Sequence, residues 1–375
     1  MKLFKSLLVA PATLGLLVPM SATANEVTIN DFNPAQELAV TNSRVDGLEA
    51  RIHNYEAGAF SSTTSASFSV DMLLGAVDGA TNADDTLDAQ QLNATYGYQI
   101  DLSTSFTGED SLDVSLDAGS SGTTLGELDL NSGGDQLTVD GVSYTFPIGD
   151  KITAFVGDNM DGSTLYSTAC VYGGVTTTLD DCGNASSAMA AGFGTAAGAS
   201  FDIGNGFTGA IGYEGQGSDQ VGLMTKEGTD SYGGQLSYAA DQYGASVTYN
   251  ITETSSTEET TYWGLNGYWT PSETGSMPSI SVGYETGDPS AASAKDTEHY
   301  FIGLQWDEVG PGTLGVAAGT ADPVEENASE LMMYEAFYSY PVNDGLTITP
   351  IVFIEEKAAG TDDLTGVAVK ASFSF

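Results

Sequence analysis

The sequence predicts an all-β chain: a transmembrane antiparallel β-barrel of about sixteen strands, preceded by a short helix. Three observations predict it. The segment Leu364 to Phe375 alternates cleanly, with Thr365, Val367, Val369, Ala371, Phe373 and Phe375 on one face and Leu364, Gly366, Ala368, Lys370, Ser372 and Ser374 on the other. A period of two means a strand with two different surroundings, and a closing barrel strand ends on an aromatic at the membrane interface. The second observation is a run of similar segments from residue 61 onward, and the third is a rule in the lengths of their connections.

The elements follow in chain order. Residues 1–24 carry Lys2 and Lys5, an apolar stretch from Leu7 to Val18, and Ala22-Thr23-Ala24 as a small-residue cleavage site. This is the pattern of a secretory signal peptide, too short in its apolar part for a spanning helix. A polar leader covers 25–37. Over 38–57, Leu38, Val45, Leu48, Ile52 and Tyr55 stand at heptad a and d spacing, with Arg44 and Arg51 flanking the stripe. Two heptads do not hold a coiled coil alone in water, so this helix either clamps chains gathered by something else or lies against its own barrel.

The barrel is expected over 61–375, with strands at 61–77, 87–106, 111–118, 136–147, 150–157, 188–203, 206–215, 231–240, 242–251, 260–270, 277–286, 297–307, 312–319, 330–341, 345–354 and 364–375. Connections after odd-numbered segments run from about 8 to about 30 residues, and those after even-numbered ones from about 1 to about 6. A sandwich has no reason to keep such a rule, because both its ends see the same water. A membrane barrel does, with short turns on the periplasmic side and long loops outside. An even strand count also lets the first and last strands pair, leaving no open edge in lipid.

Composition narrows the function. Lys plus Arg number 9 against 51 Asp plus Glu, with 46 Gly, 18 Tyr and 15 Phe. So few cations exclude nucleic acid as a partner, while the hydrophobic fraction of 41% excludes a disordered acidic chain. Cys170 and Cys182, close together in an exported chain, read as a disulfide worth roughly 3 kcal/mol of loop closure. The long connection from Asp158 to Ser187 holds that pair together with Asp158, Asp161, Asp180 and Asp181. Folded inward it would constrict a channel; left outside it would be a receptor loop. Alternation places Asp71, Asp101, Glu214, Glu285 and Glu335 on inward faces, opposed mainly by Lys151 and Lys370. A strongly acidic outer mouth concentrates cations and repels anions.

Catalytic and cofactor motifs are not supported. Gly204-Asn-Gly206-Phe-Thr-Gly209 has dinucleotide-binding spacing, but an alternating strand follows where the motif needs a helix, so it reads as a hairpin turn. His53 and His299 are the only histidines, too few for zinc, and no nucleophile stands near His299, which reads as an inward, solvated side chain. The chain is therefore read as no enzyme, with no cofactor and no metal site.

The leader MKLFKSLLVAPATLGLLVPMSATA and the stretch RVDGLEARI (Arg44 to Ile52) resemble those of the Som-type porins of marine picocyanobacteria. SFTGED (Ser105 to Asp110) and YTFPIGD (Tyr144 to Asp150) are similar to hairpin segments of that family. The resemblance implies a homotrimeric porin of the cell outer membrane, inserted by the barrel assembly machinery, that passes inorganic ions and small hydrophilic solutes by diffusion. Only Asn25 to Glu37 stands where family members carry an S-layer-homology domain, so wall anchoring is not implied. Related carbohydrate-selective porins use lumen arginines, which the expected barrel lacks, so sugar selectivity is not implied either. The charge favours a cation preference. The competing reading is a closed barrel serving as adhesin or surface receptor.

Overall fold

The computed structural model describes residues 63–79, 91–120, 125–128, 130–131, 134–182, 188, 192, 194–216, 222–273, 275–359 and 361–374. The expected signal peptide, leader and helix (1–57) lie outside these residues. So do the residues of the leader and of Arg44 to Ile52 that carried the family resemblance.

The described chain is a closed antiparallel barrel. Its wall strands are β1 (Thr64–Asp78), β2 (Asn93–Thr104), β3 (Ser111–Gly119), β4 (Thr138–Ile148), β5 (Ile152–Met160), β6 (Gly194–Gly204), β7 (Phe207–Gly215) and β8 (Asp230–Ala239). They continue with β9 (Tyr243–Ser255), β10 (Glu258–Trp269), β11 (Ser279–Pro289), β12 (Thr297–Val309) and β13 (Gly312–Thr320). After the two-residue β14 (Val324–Glu325), β15 (Met332–Asn343), β16 (Leu346–Glu355) and β17 (Leu364–Ser374) complete the wall. β14 pairs only with the upper end of β12, which leaves sixteen wall strands. Closure is made by β1 against β17, from Ser69 opposite Ser374 to Asp78 opposite Thr365. Every wall strand then has two neighbours and no backbone edge is left open.

Burial follows the alternation. On β1, Met72 and Leu74 are 55% and 48% exposed, whereas Leu73 and Val77 between and beyond them are 2% and 0% exposed. The outward face is apolar and the inward face is polar except where connections fold in and cover it. Near the long-connection end, outward aromatics form a belt: Tyr213, Tyr232, Tyr249, Trp263, Tyr284, Tyr300 and Tyr334, one per strand from β7 to β15 except β13. Several tie their hydroxyls to carboxylates, as Tyr213 to Asp230 at 2.6 Å and Tyr300 to Glu330 at 2.7 Å. Such a belt marks an interface between apolar and aqueous surroundings.

The connection rule fails at one place. β9 and β10 are joined by a two-residue turn, Ser256 and Thr257, where a long loop is expected. The length is present as strand: Thr252 to Ser255 and Glu258 to Thr260 continue the ladder as a ribbon. These residues are polar on both faces, so no hydrophobic period reveals them as strand. The opposite turn after β10 is correspondingly longer, from 270 to 278.

Two turns explain their sequences. At Gly204-Asn205-Gly206 all three residues have positive φ (92°, 56° and 84°), and the turn joins β6 to β7. In SFTGED, Asp110 Oδ1 accepts from the Phe106 and Thr107 amides at 2.9 and 2.8 Å and from the Ser105 and Thr107 hydroxyls at 2.8 Å. Its Oδ2 accepts from the Tyr144 hydroxyl at 2.7 Å, stapling this turn to β4.

Candidate channel constriction

Between β5 and β6 the described residues 161–182 and 188 run inward along the lumen wall as a strap. A strap without ladder partners must place its backbone N–H groups on acceptors or lose the free energy of each. The wall supplies them. The Gly162 amide donates to Glu214 Oε2 on β7 at 2.7 Å, and the Ser167 amide to Gln235 Oε1 on β8 at 2.7 Å. Val171 and Tyr172 amides donate to Ser281 Oγ on β11 at 3.1 and 3.2 Å, and the Gly173 amide to Gln305 Oε1 on β12 at 3.0 Å. On the way back the Ala188 amide reaches Glu285 Oε2 on β11 at 2.7 Å.

The strap's far end is held by Glu335 on β15, which is 3% exposed. Its Oε1 accepts from the Tyr172 hydroxyl at 2.7 Å; its Oε2 accepts from the Thr176 amide at 3.0 Å and the Thr176 hydroxyl at 2.6 Å. The Val175 amide lies 3.3 and 3.4 Å from the two oxygens. Burial, then the charge of Glu335, pushes the Tyr172 hydroxyl far up, so it remains a donor. Wall glycines make the room: a Cβ on Gly303 would stand 2.6 Å from the Tyr172 ring, and one on Gly212 would collide with the Gly162 carbonyl.

Apolar packing adds to the polar anchors. Tyr172, Val175 and Leu179 of the strap join Leu125 and Leu128 of the 120–137 connection in a cluster inside the barrel. It rests on inward Leu73, Val77, Phe301, Met333, Phe337 and Phe353. Each such side chain contributes about 1.5–3 kcal/mol on full burial. The two connections also meet backbone to backbone, through the Thr177 amide to the Glu127 carbonyl at 3.0 Å and a Leu128–Thr176 bridge. Cys170 and Cys182 are joined by a disulfide across a sequence separation of 12, tying the outgoing leg to the 3-10 turn Asp180–Cys182.

The residues singled out by sequence sort into three places. Glu214, Glu285 and Glu335 face inward but are 6%, 3% and 3% exposed, so they act as strap anchors where free lumen charge was expected. Asp71 and Asp101 face inward on β1 and β2 and are half-exposed; Asp101 accepts from Gln99 Nε2 at 2.8 Å and Ser115 Oγ at 2.7 Å. Lys370 faces inward on β17, opposite Leu73 and Thr349, and makes no ion pair among the described residues. Lys151 is exposed in the β4–β5 turn.

Of the four aspartates expected in the strap, Asp161 opens it and Asp180 and Asp181 sit in its 3-10 turn. Asp158 is a correction. It lies within β5 opposite Val142, on the outward register of Val156, and accepts from the Thr195 hydroxyl at 2.8 Å. His299 is also corrected: inward, but 8% exposed, with Nε2 3.0 Å from the Thr320 carbonyl.

Sequence reading missed Asp113 and Asp117 on β3, which pair across with Ser103 and Gln99 on the inward face. Leu112, Val114 and Leu116 on the opposite parity were the signal. With Asp71 and Asp101 they make an acidic, half-exposed stretch of wall on β1 to β3. The wall under the strap is different, with Thr248, Asn250 and Ser281 each 1% exposed. Among the described residues no three His, Cys, Asp or Glu side chains group to hold a metal ion.

No family model matches the sequence, and no curated protein matches it. Solved structures do. OprB of Pseudomonas putida is similar over 84% of this chain and 94% of its own, with TM-score 0.58 and 12% identity. Two variants of the porin of Rh. blastica are similar over 83% of this chain and 100% of theirs, with TM-score 0.56 and 13% identity. The shared property is the fold, a closed porin-type barrel.

Proposed function

We propose that this chain is an outer-membrane porin, a diffusion channel for inorganic ions and small hydrophilic solutes that prefers cations. The observation that carries the reading is the strap: a long connection pinned by wall glutamates inside a barrel whose wall around Asp71, Asp101, Asp113 and Asp117 stays half-exposed, polar and acidic. Such a wall raises local cation concentration without binding any ion tightly. The export signal in the sequence, the apolar outer face and the aromatic belt support the outer membrane as its site and the barrel assembly machinery as its route there. A homotrimer fits the outer face as well. The belt runs over β7 to β15 but is broken over β16, β17 and β1 to β6, where Val367, Val369, Met72, Leu74 and Val156 face out and only Tyr96 continues it. A sector whose long-connection level is thin in aromatics suits a second copy better than a lipid boundary.

The apolar cluster that joins two connections inside the lumen favours the second reading, a closed barrel acting as adhesin or surface receptor. Single-channel recording in planar bilayers separates the two. Steady current with a cation-signed reversal potential in a potassium chloride gradient is the expected result; the absence of current would favour the closed barrel.

A further inference from the structure

The outer wall carries a groove that the channel does not use. Across β12, β13, β15 and β16 the ladder aligns two outward rows: Ile302, Ala318, Tyr334 and Ile354 in one, Leu304, Val316, Ala336 and Val352 in the next. Ala318 and Ala336 are small and half-buried, whereas Ile302, Val352 and Ile354 beside them stand out at 49%, 41% and 40% exposure. The result is a trough of about 390 Å³ whose outward side chains are all apolar but for one tyrosine hydroxyl. That volume lies within the range of about 300–1,000 Å³ typical of built small-molecule sites. An apolar cavity of about 150 Å³ already binds benzene.

We propose that this trough seats one acyl chain of a membrane phospholipid, an inference that rests on the chain being a membrane barrel. The argument for lipid over a second copy is position. The trough centres on β12 to β15, where outward aromatics bracket the wall at both levels, Tyr300 and Tyr334 above and Trp306, Tyr338 and Tyr340 below; Val352 and Ile354 border it from β16. Aromatics at both levels mark contact with a bilayer. β13 is also where the upper belt is interrupted, because it brings Ala318 to the level where neighbouring strands carry bulk. A chain entering there passes between Tyr300 and Tyr334, whose hydroxyls are turned to Glu330 and Glu356 at 2.7 and 3.5 Å. Those polar groups lie at the level of a headgroup, and the trough continues below them along the chain direction.

The test uses full-length protein taken from dilauroyl-phosphatidylcholine vesicles in mild detergent and weighed by native mass spectrometry. Unmodified protein should retain at least one phospholipid per chain through washing. The double substitutions A318V/A336V and A318L/A336L should retain one fewer, with heat-shifted gel migration and oligomer band unchanged. Retention of no phospholipid by the unmodified protein overturns the proposal whether or not the variants fold. Equal retention by folded variants overturns it too, and loss of the oligomer at unchanged lipid content assigns the trough to a second copy instead. Channel current recorded in parallel keeps the two ideas apart: lost lipid with normal current concerns the trough alone, and absent current in the unmodified protein concerns the proposed function.

Discussion

Glu335→Ala tests whether the strap is a working part of the channel. The substitution removes the carboxylate that accepts from the Tyr172 hydroxyl, the Thr176 hydroxyl and the Thr176 and Val175 amides. Hydrogen bonds to a charged group contribute about 1.5–3 kcal/mol each, and a buried donor left unpaired costs about 1–3 kcal/mol. Glu335 is 3% exposed, so little solvent screening discounts these figures. Two of the four contacts, at about 3–6 kcal/mol, equal the burial of about two side chains of the apolar cluster, enough to loosen the strap's far end while its other anchors hold. The barrel ladder is untouched, because residue 335 keeps its backbone pairing with Ala317 and Phe353. The expected outcome is a folded, heat-modifiable barrel whose single-channel current is noisier and larger in its open state. Glu335→Gln should fall between, since its amide offers one acceptor oxygen and turns two hydrogens toward donors. If Glu335→Ala leaves conductance, noise and strap proteolysis as they were, the anchor argument is wrong and the strap's position is set by its apolar cluster.

Four further outcomes can be checked in the same way. Replacing Asp101, Asp113 and Asp117 together by Asn should shift the reversal potential toward zero in dilute potassium chloride, with the effect fading as salt shortens the screening length to about 3 Å at 1 M. The set Asp158, Asp161, Asp180 and Asp181 should shift it less, since Asp158 stands on the outward register; a larger shift from that set would move the selective field to the strap. Reducing the Cys170–Cys182 bond should add flicker without a change in mean conductance, because Glu335 still holds the far end; closure of the channel on reduction would contradict that. Asp110 is held well below the ordinary carboxylate range, first by the Tyr144 hydroxyl and then by the Thr107 amide. A depressed folded pKa stabilises above the unfolded value of about 3.9 and the benefit disappears as pH falls below it. Asp110→Asn should therefore lower the urea midpoint at pH 7, with the gap to the unmodified protein closing below about pH 4; a constant gap would show that charge is not involved.

Much of the wall was legible because a membrane barrel writes its surroundings into every second residue. The alternation in Leu364 to Phe375 reappears as outward Val367 and Val369 against inward Ala368 and Lys370 in the β16 and β1 ladders. Parity also put Glu214, Glu285 and Glu335 on the inner face. Their use could not be read, because it depends on the path of a strap that has no period of its own. Gly162, Val175, Thr176 and Ala188 are ordinary loop residues until the fold carries their amides to those carboxylates. The β9–β10 ribbon was missed for the complementary reason: above the apolar band both faces meet water, and the alternation that identifies a strand vanishes.

The strap and the missing arginines belong to one electrostatic solution. With 51 acids against 9 bases, cationic partners are scarce, and a buried carboxylate without any partner is costly. Backbone N–H groups serve instead: Glu214, Glu285 and Glu335 each accept strap amides, and the strap in turn finds acceptors for donors it could not pair internally. The acids that remain half-exposed, Asp71, Asp101, Asp113 and Asp117, lie on β1 to β3, and the last three accept from neutral donors, Gln99, Ser115, Ser111 and Thr138. Neutral donors fix a carboxylate's position without cancelling its charge. The field of this half-exposed wall is therefore left standing, while the charge under the strap is satisfied by the element that narrows the lumen.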